Sequence, residues 1–148
     1  MRLRLATIVI TVVLAILPQA DAADRVVVLV TGEECAMDTI SALDVRKAYL
    51  SIGVSYEGQS IRALRLNNDE RLNQIFYQSV VSMSERTYER RLLLLLLKYG
   101  RPRPQHFESA EDLAAAVAEI PCSIAYMWQS DAEARAGIKA IKILWQEN

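Results

Sequence analysis

Six consecutive leucines, Leu92 to Leu97, stand between Arg90 and Arg91 on one side and Lys98 on the other in the stretch RRLLLLLLKYG. Leucine is a good helix former and the preceding SERTYERR is helical in character, so this stretch is expected to be a helix rather than a strand. At about 100° per residue, six leucines surround a helix, and no orientation hides only one stripe. Either the rest of the domain packs around most of this helix, or one face stays apolar and meets a partner. Ser82 and Glu85 have capping-box spacing and predict its start, and Gly100 predicts its stop.

A chain of 148 residues supplies one domain with a real core and too little for two ordinary ones. Its first stretch, MRLRLATIVITVVLAILPQADAAD, has a basic start at Arg2 and Arg4 and an apolar middle from Ala6 to Leu17. Pro18 and the small-x-small triplet Ala20, Asp21, Ala22 follow. This is the layout of a secretory signal peptide, with cleavage expected after Ala22 and residues 23–148 left as the domain. The apolar run is shorter than the roughly 20 residues a bilayer demands, so no stable membrane span is expected after cleavage. Export leads to the periplasm or beyond, an oxidising compartment in which Cys35 and Cys122 can join; the alternative is two separate thiols.

The formal charge is -1 and the charged residues alternate in sign, without the basic stripe and interleaved aromatics of a nucleic-acid binder. With a single histidine, His106, and no clustered Cys, Asp or Glu spacing, neither a metal centre nor a cofactor is expected. His106 lies near Glu108 and Ser109 in a proline-rich stretch, where a solvated or half-packed ring is the ordinary role. No catalytic motif is present, and the chain is read as a non-enzyme.

Along the chain, RVVVLVT over 25–31 reads as a strand buried on both faces. ISALDVRKAYLSI follows as an amphipathic helix, capped by Ser41 with Asp44 and burying Ala42, Val45, Tyr49 and Ile52. GVSYEG is a glycine-bearing turn, and SIRALRL a second strand in which Arg62 and Arg65 alternate with apolar residues. From Asn68 or Asp69 a helix is expected to run to about Val81, burying Leu72, Ile75, Phe76 and Val80, with Asp69 and Glu70 in its first turn. GRPRPQHF is expected to be an extended loop. Ser109 and Asp112 open a helix burying Leu113, Ala116, Val117 and Ile120 that ends at Pro121. CSIAYMW is a strand, SDAEARAG a turn or short helix, and IKAIKILW a last strand alternating Ile141, Ile143 and Trp145 against Lys142 and Leu144. Strands interleaved with helices indicate an α/β domain of two or three layers with a mainly parallel sheet.

The series VVVLV, LDVRKAYLS, IRALRL, RLNQIFYQSVV, YGRPRP and SAEDLAAAVAEIPCSIAYM resembles small exported proteins related to the substrate-binding proteins of phosphate ABC transporters, in the periplasmic binding protein type 2 superfamily. Ala48, Tyr49 and Leu50 stand where that family has a leucine-phenylalanine-leucine-like element. YGRPRP stands at its GRGRPP-like loop, and CSIAYM at its GAIGYV strand. The resemblance covers about residues 25 to 130 and implies a single lobe of the periplasmic binding protein type 2 fold, a mixed sheet flanked by helices.

The family holds its ligand at strand ends and helix N-termini, which suits phosphate or another small oxyanion. By this resemblance Thr31, Arg65, Asn67 and Asn68 are placed near such a helix start, and an ABC transporter or an envelope receptor is the implied partner. Full phosphate-binding members open that helix with a Ser-Gly-Thr element, whereas this chain has Asn68, Asp69 and Glu70. Two carboxylates there compete with phosphate for the same N–H groups, and the three residues also suffice as a plain helix cap. The family's topology runs CSIAYM antiparallel beside the first strand, which brings Cys35 and Cys122 together as a disulfide.

Two functions remain: an exported solute-binding-like protein, or a non-enzymatic envelope interaction module that kept the lobe and lost the ligand. A lone lobe can cover the Leu92 to Leu97 helix with a second copy of itself, giving a homodimer.

Overall fold

A computed structural model describes residues 26–148. The expected signal peptide and its cleavage site lie outside the described residues. Among these, no helix is long and apolar enough to cross a membrane.

The first described strand is β1 (Val26–Gly32), whose run of Val and Leu is buried along nearly its whole length. It sits between β6 (Ser123–Trp128) and β7 (Ile138–Gln146) and pairs antiparallel with both. On the far side of β6, β4 (Arg62–Leu66) and β5 (Gln105–Phe107) continue the sheet in parallel, in the order β5-β4-β6-β1-β7. The sheet is therefore mixed rather than mainly parallel. β4, β5, β6 and β7 run in one direction and β1 alone, inserted between β6 and β7, runs against them, which strand and helix order alone does not reveal.

Side chains alternate along β6. Tyr126 and Trp128 point to one face, where they meet α1 (Ala42–Tyr49) and α2 (Glu70–Ile75); Ser123 points to the other, donating to the Val117 carbonyl of α4 (Ala110–Glu119) at 3.2 Å. Helices thus cover both faces. On the α4 side the approach is close: a Cβ added to Gly32 would lie 3.0 Å from the Val117 carbonyl oxygen. The opposite face is aromatic. Phe76 stacks on Tyr126 with centroids 4.6 Å apart and meets Tyr49, Tyr77 and Tyr88 edge-on. Truncation of such a buried ring, Phe76→Ala, typically costs about 3–5 kcal/mol.

Ser41 caps α1 by accepting from the Asp44 amide, and Ser109 caps α4 in the same way through Asp112. The segment after Asp69 keeps its expected extent and buried residues, but only its first part is α-helical. Phe76–Val80 forms a π-helical turn, closed by the Val81 amide on the Phe76 carbonyl. Both Phe76 and Tyr77 then reach one cation, Arg65, which apolar periodicity could not foretell. GVSYEG is more ordered than a plain turn: β2 (Ser55–Tyr56) and β3 (Gln59–Ser60) form a hairpin with Glu57 and Gly58 both at positive φ, the backbone of a type I′ turn. Part of the expected GRPRPQHF loop is β5. Its ladder partner, β4, lay too far away in sequence for local pattern to disclose.

The leucine helix, α3 (Glu85–Tyr99), is capped by Ser84, not Ser82; the Ser84 hydroxyl accepts from the Thr87 amide, and Ser82 has a φ of 53°. Gly100 ends it in the left-handed conformation, as expected. Tyr88 and Leu92, one turn apart, are its buried residues, while Leu93 is 46% exposed, Leu94 48% and Leu97 73%. The domain therefore covers one stripe, half-buries Leu95 and leaves Leu93, Leu94, Leu96 and Leu97 open.

In β7, two register shifts opposite β1 break the expected alternation. Each bulge moves the following residues to the other face, so Ile143 is 61% exposed although Ile141 and Trp145 pack against the core. Beyond β1, Cys35 and Cys122 form a disulfide with Cα atoms 5.2 Å apart, as the resemblance implied.

Candidate functional site

The three parallel strands end together, and a helix follows each: α2 after β4, α4 after β5, and α5 (Gln129–Glu133) after β6. In open α/β sheets this edge is where ligands gather, because the helix starts present unpaired N–H groups there. Asn67 joins two of the strand ends, its amide donating to the Phe107 carbonyl at 2.8 Å and its Nδ2 to Glu108 Oε1 at 3.3 Å. Asn73 Nδ2 donates to the Asn67 carbonyl at 3.3 Å. Asn68 is exposed beside them.

The α2 start is already filled from within. Asp69 is its cap: Oδ1 accepts from the Leu72 amide at 2.9 Å, and Oδ2 accepts from Trp128 Nε1 at 2.7 Å. One carboxylate therefore occupies the place of an external anion and ties α2 to the end of β6. Glu70, Glu108, Glu111 and Asp112 add negative charge along the same edge. Arg71 balances part of it, stacked 5.6 Å from the Trp128 ring and 5.9 Å from Trp145 and paired with Glu147 at 3.4 Å.

Arg65, expected on the alternating polar side of its strand, is instead 2% exposed. Its guanidinium lies 4.4 Å from the Phe76 centroid, 5.0 Å from Tyr88 and 5.3 Å from Tyr77. Nε donates to the Tyr126 hydroxyl at 3.2 Å, Nη2 to the Tyr77 hydroxyl at 3.0 Å, and Nη1 to Glu89 Oε1 at 3.4 Å. Glu89 is shared, its other oxygen accepting from Arg103. Burial opposes the Arg65 charge, but Tyr126 and Tyr77 outweigh it, so its pKa is raised and it stays protonated. Tyr126 in turn donates to Asn73 Oδ1 at 3.0 Å, and burial pushes its pKa up to about 12 despite the neighbouring Arg65 charge. This cluster joins β4, β6, the π-helical turn and α3 into one unit, and uses the guanidinium in three directions.

Thr31 lies elsewhere. It pairs with Ile124, which pairs with Ala63, so it is level with the beginning of β4, whereas Asn67 follows its end. That separation is about four residues along a strand, on the order of 13 Å. Thr31 is fully buried, donating to the Ser123 carbonyl at 2.7 Å. The structure thus brings Asn67 and Asn68 together, places Arg65 in the layer beneath them, and puts Thr31 at the opposite end of the sheet. Three open depressions of about 440, 470 and 580 Å³ are lined by none of these four residues. His106 pairs with Arg65 across β4 and β5; partial burial, then Arg65 and Arg103, lower its pKa.

Sequence reasoning missed Tyr126, Tyr77, Glu89 and Trp128 as partners at this edge. One signal was present for Arg65: it shares strand parity with Ala63, and SIRALRL has apolar residues on both parities. Such a strand is covered on both faces, which leaves a mid-strand arginine little access to solvent.

No protein-family model matches the chain, and no curated protein is significantly similar in sequence. Solved structures are similar in fold. An ABC-type phosphate transport receptor from Vibrio cholerae superposes with a TM-score of 0.59 at 10% identity, over 80% of this chain and 46% of the receptor. PstS from Borrelia burgdorferi gives 0.58 at 11% identity, over 80% of this chain and 47% of its own. The chain spans just under half the length of each. The mixed α/β domain has the fold of a single lobe of these phosphate-transport binding proteins.

Proposed function

We propose that the protein is an exported, periplasmic solute-binding-like lobe that serves an ABC transporter or an envelope receptor, without catalysis. The observation that carries this reading is the likeness of most of the chain to one lobe of two phosphate-transport binding proteins. The Cys35–Cys122 disulfide agrees with an oxidising compartment. A small oxyanion such as phosphate would meet the edge at Asn67 and Asn68, whose amides can donate to it. Arg65 would support that edge from below, and Thr31 would act only through the sheet.

One observation favours a second reading, an interaction lobe that binds no solute. The Asp69 carboxylate holds the N–H group and the indole that an oxyanion would need, and further carboxylates surround it. Calorimetric titration of phosphate-stripped protein at low ionic strength, with sulfate as competitor, separates the two. Saturable micromolar binding that weakens at least tenfold in Asn68→Asp supports a phosphate-binding lobe. No heat from a folded protein removes the solute and leaves the interaction lobe.

A further inference from the structure

The open leucines of α3 lie among cations. At helical spacing Arg86, Arg90, Leu93 and Leu97 form one row, and Arg91, Leu94 and Lys98 form the row beside it. All seven are exposed. Arg86, Arg90, Arg91 and Lys98 have no hydrogen-bond or ion-pair partner among the described residues. Of the two acids on the helix, Glu89 is already held by Arg65 and Arg103. The helix is thus cationic on its apolar side, in a chain whose formal charge is -1.

From this we infer that α3 docks on an anionic phospholipid surface. Leu93, Leu94 and Leu97 would enter the boundary between headgroups and acyl chains, and the arginines and Lys98 would meet phosphates. A lipid interface offers apolar and anionic groups within a few ångströms of depth, and long basic side chains bridge that depth along their own stems. A second copy fits less well, because it would bring four more unpaired cations against the first four. The leucine patch is also small for a protein partner. It exposes on the order of 400 Å² per chain, about half of what one side of a specific protein interface buries. Insertion into lipid needs no matching surface and works with less area. This contact does not depend on whether a solute is bound, since α3 lies outside the Asn67 and Asn68 edge.

The test is sedimentation with vesicles, using oxidised protein from Ala23 onward so that the leading apolar segment makes no contribution. Among the described residues, the buried core runs from Val27 to Ile138, with Val26 and residues as far as Trp145 packed against it. Vesicles of mixed phosphatidylglycerol and phosphatidylcholine are compared with phosphatidylcholine alone, at low and high salt. Expected is salt-sensitive binding to the anionic vesicles. It should weaken about thirtyfold in the double variant Arg86→Gln with Arg90→Gln, at roughly fivefold per basic residue. Leu93→Ser with Leu97→Ser should weaken it tenfold or more, with near-ultraviolet circular dichroism unchanged. Absence of binding by folded protein overturns the inference, as does binding that ignores lipid charge or survives both double variants. A concentration-dependent dimer that dissociates in Leu93→Ser with Leu97→Ser would overturn it in favour of a second copy.

Discussion

Replacing Arg65 by lysine keeps the charge and discards the fork, which isolates what the geometry contributes. A single ammonium can satisfy one of the three partners that Nε, Nη1 and Nη2 now reach, so two charge-assisted bonds are lost. Each such bond contributes about 1.5–3 kcal/mol. Tyr77 and Glu89 are partly exposed, and Glu89 keeps Arg103, so water and the second arginine offset roughly half. The planar stacking on Phe76, Tyr77 and Tyr88 also weakens, because an ammonium fits one ring rather than three. The net expectation for Arg65→Lys is a loss of about 2–3 kcal/mol, or about 10 °C in Tm for a domain of this size. Urea unfolding of the oxidised protein, followed by tyrosine fluorescence and circular dichroism, measures it. A loss below about 0.5 kcal/mol, which lies within the range of ordinary surface substitutions, would refute the argument. It would mean that the charge alone holds the cluster together.

Two further outcomes concern the same core. Reducing the disulfide, which joins residues 87 apart, should lower stability by about 4–5 kcal/mol in the chain-entropy account, read from paired urea curves with and without reductant; coincident curves would show that the crosslink contributes nothing. Burial raises the pKa of Tyr49, Tyr88 and Tyr126, the last to about 12. The folded state therefore holds protons that the unfolded chain gives up near pH 10, and stability should be full below about pH 10 and fall as pH rises from there to 12. Urea midpoints across that range, with phenolate absorbance rising only on unfolding, would bear this out. Early ionisation in an intact fold would not.

Much of the fold was legible because local and global signals agreed. Ser41 and Ser109 cap the helices they were read to cap, and the apolar run of β1 proves to be an interior strand paired on both sides. What escaped reading depended on distant partners. The strand role of Gln105–Phe107 exists only because β4 lies beside it, and the phase of β7 is set by bulges against β1. The site was harder still. Arg65 was placed near a ligand by the family resemblance, yet Phe76, Tyr77, Tyr88 and Tyr126, scattered over 51 residues, enclose it. Asp69 was visible as a cap, but its indole partner comes from another strand.

The irregular last strand has a consequence for solubility. β7 is one of the sheet's two edge strands and, at nine residues, its longest. A long flat strand in that position invites pairing with another chain, and exposed Ile143 would add to the attraction. Two bulges interrupt the register of the strand, and β7 also carries charge, at Lys142 and at Lys139, whose ammonium is paired with Asp38 at 2.7 Å. Misalignment with β1 is a feature that works against edge-to-edge pairing, and straightening β7 by deleting a bulged residue is expected to raise the tendency to aggregate.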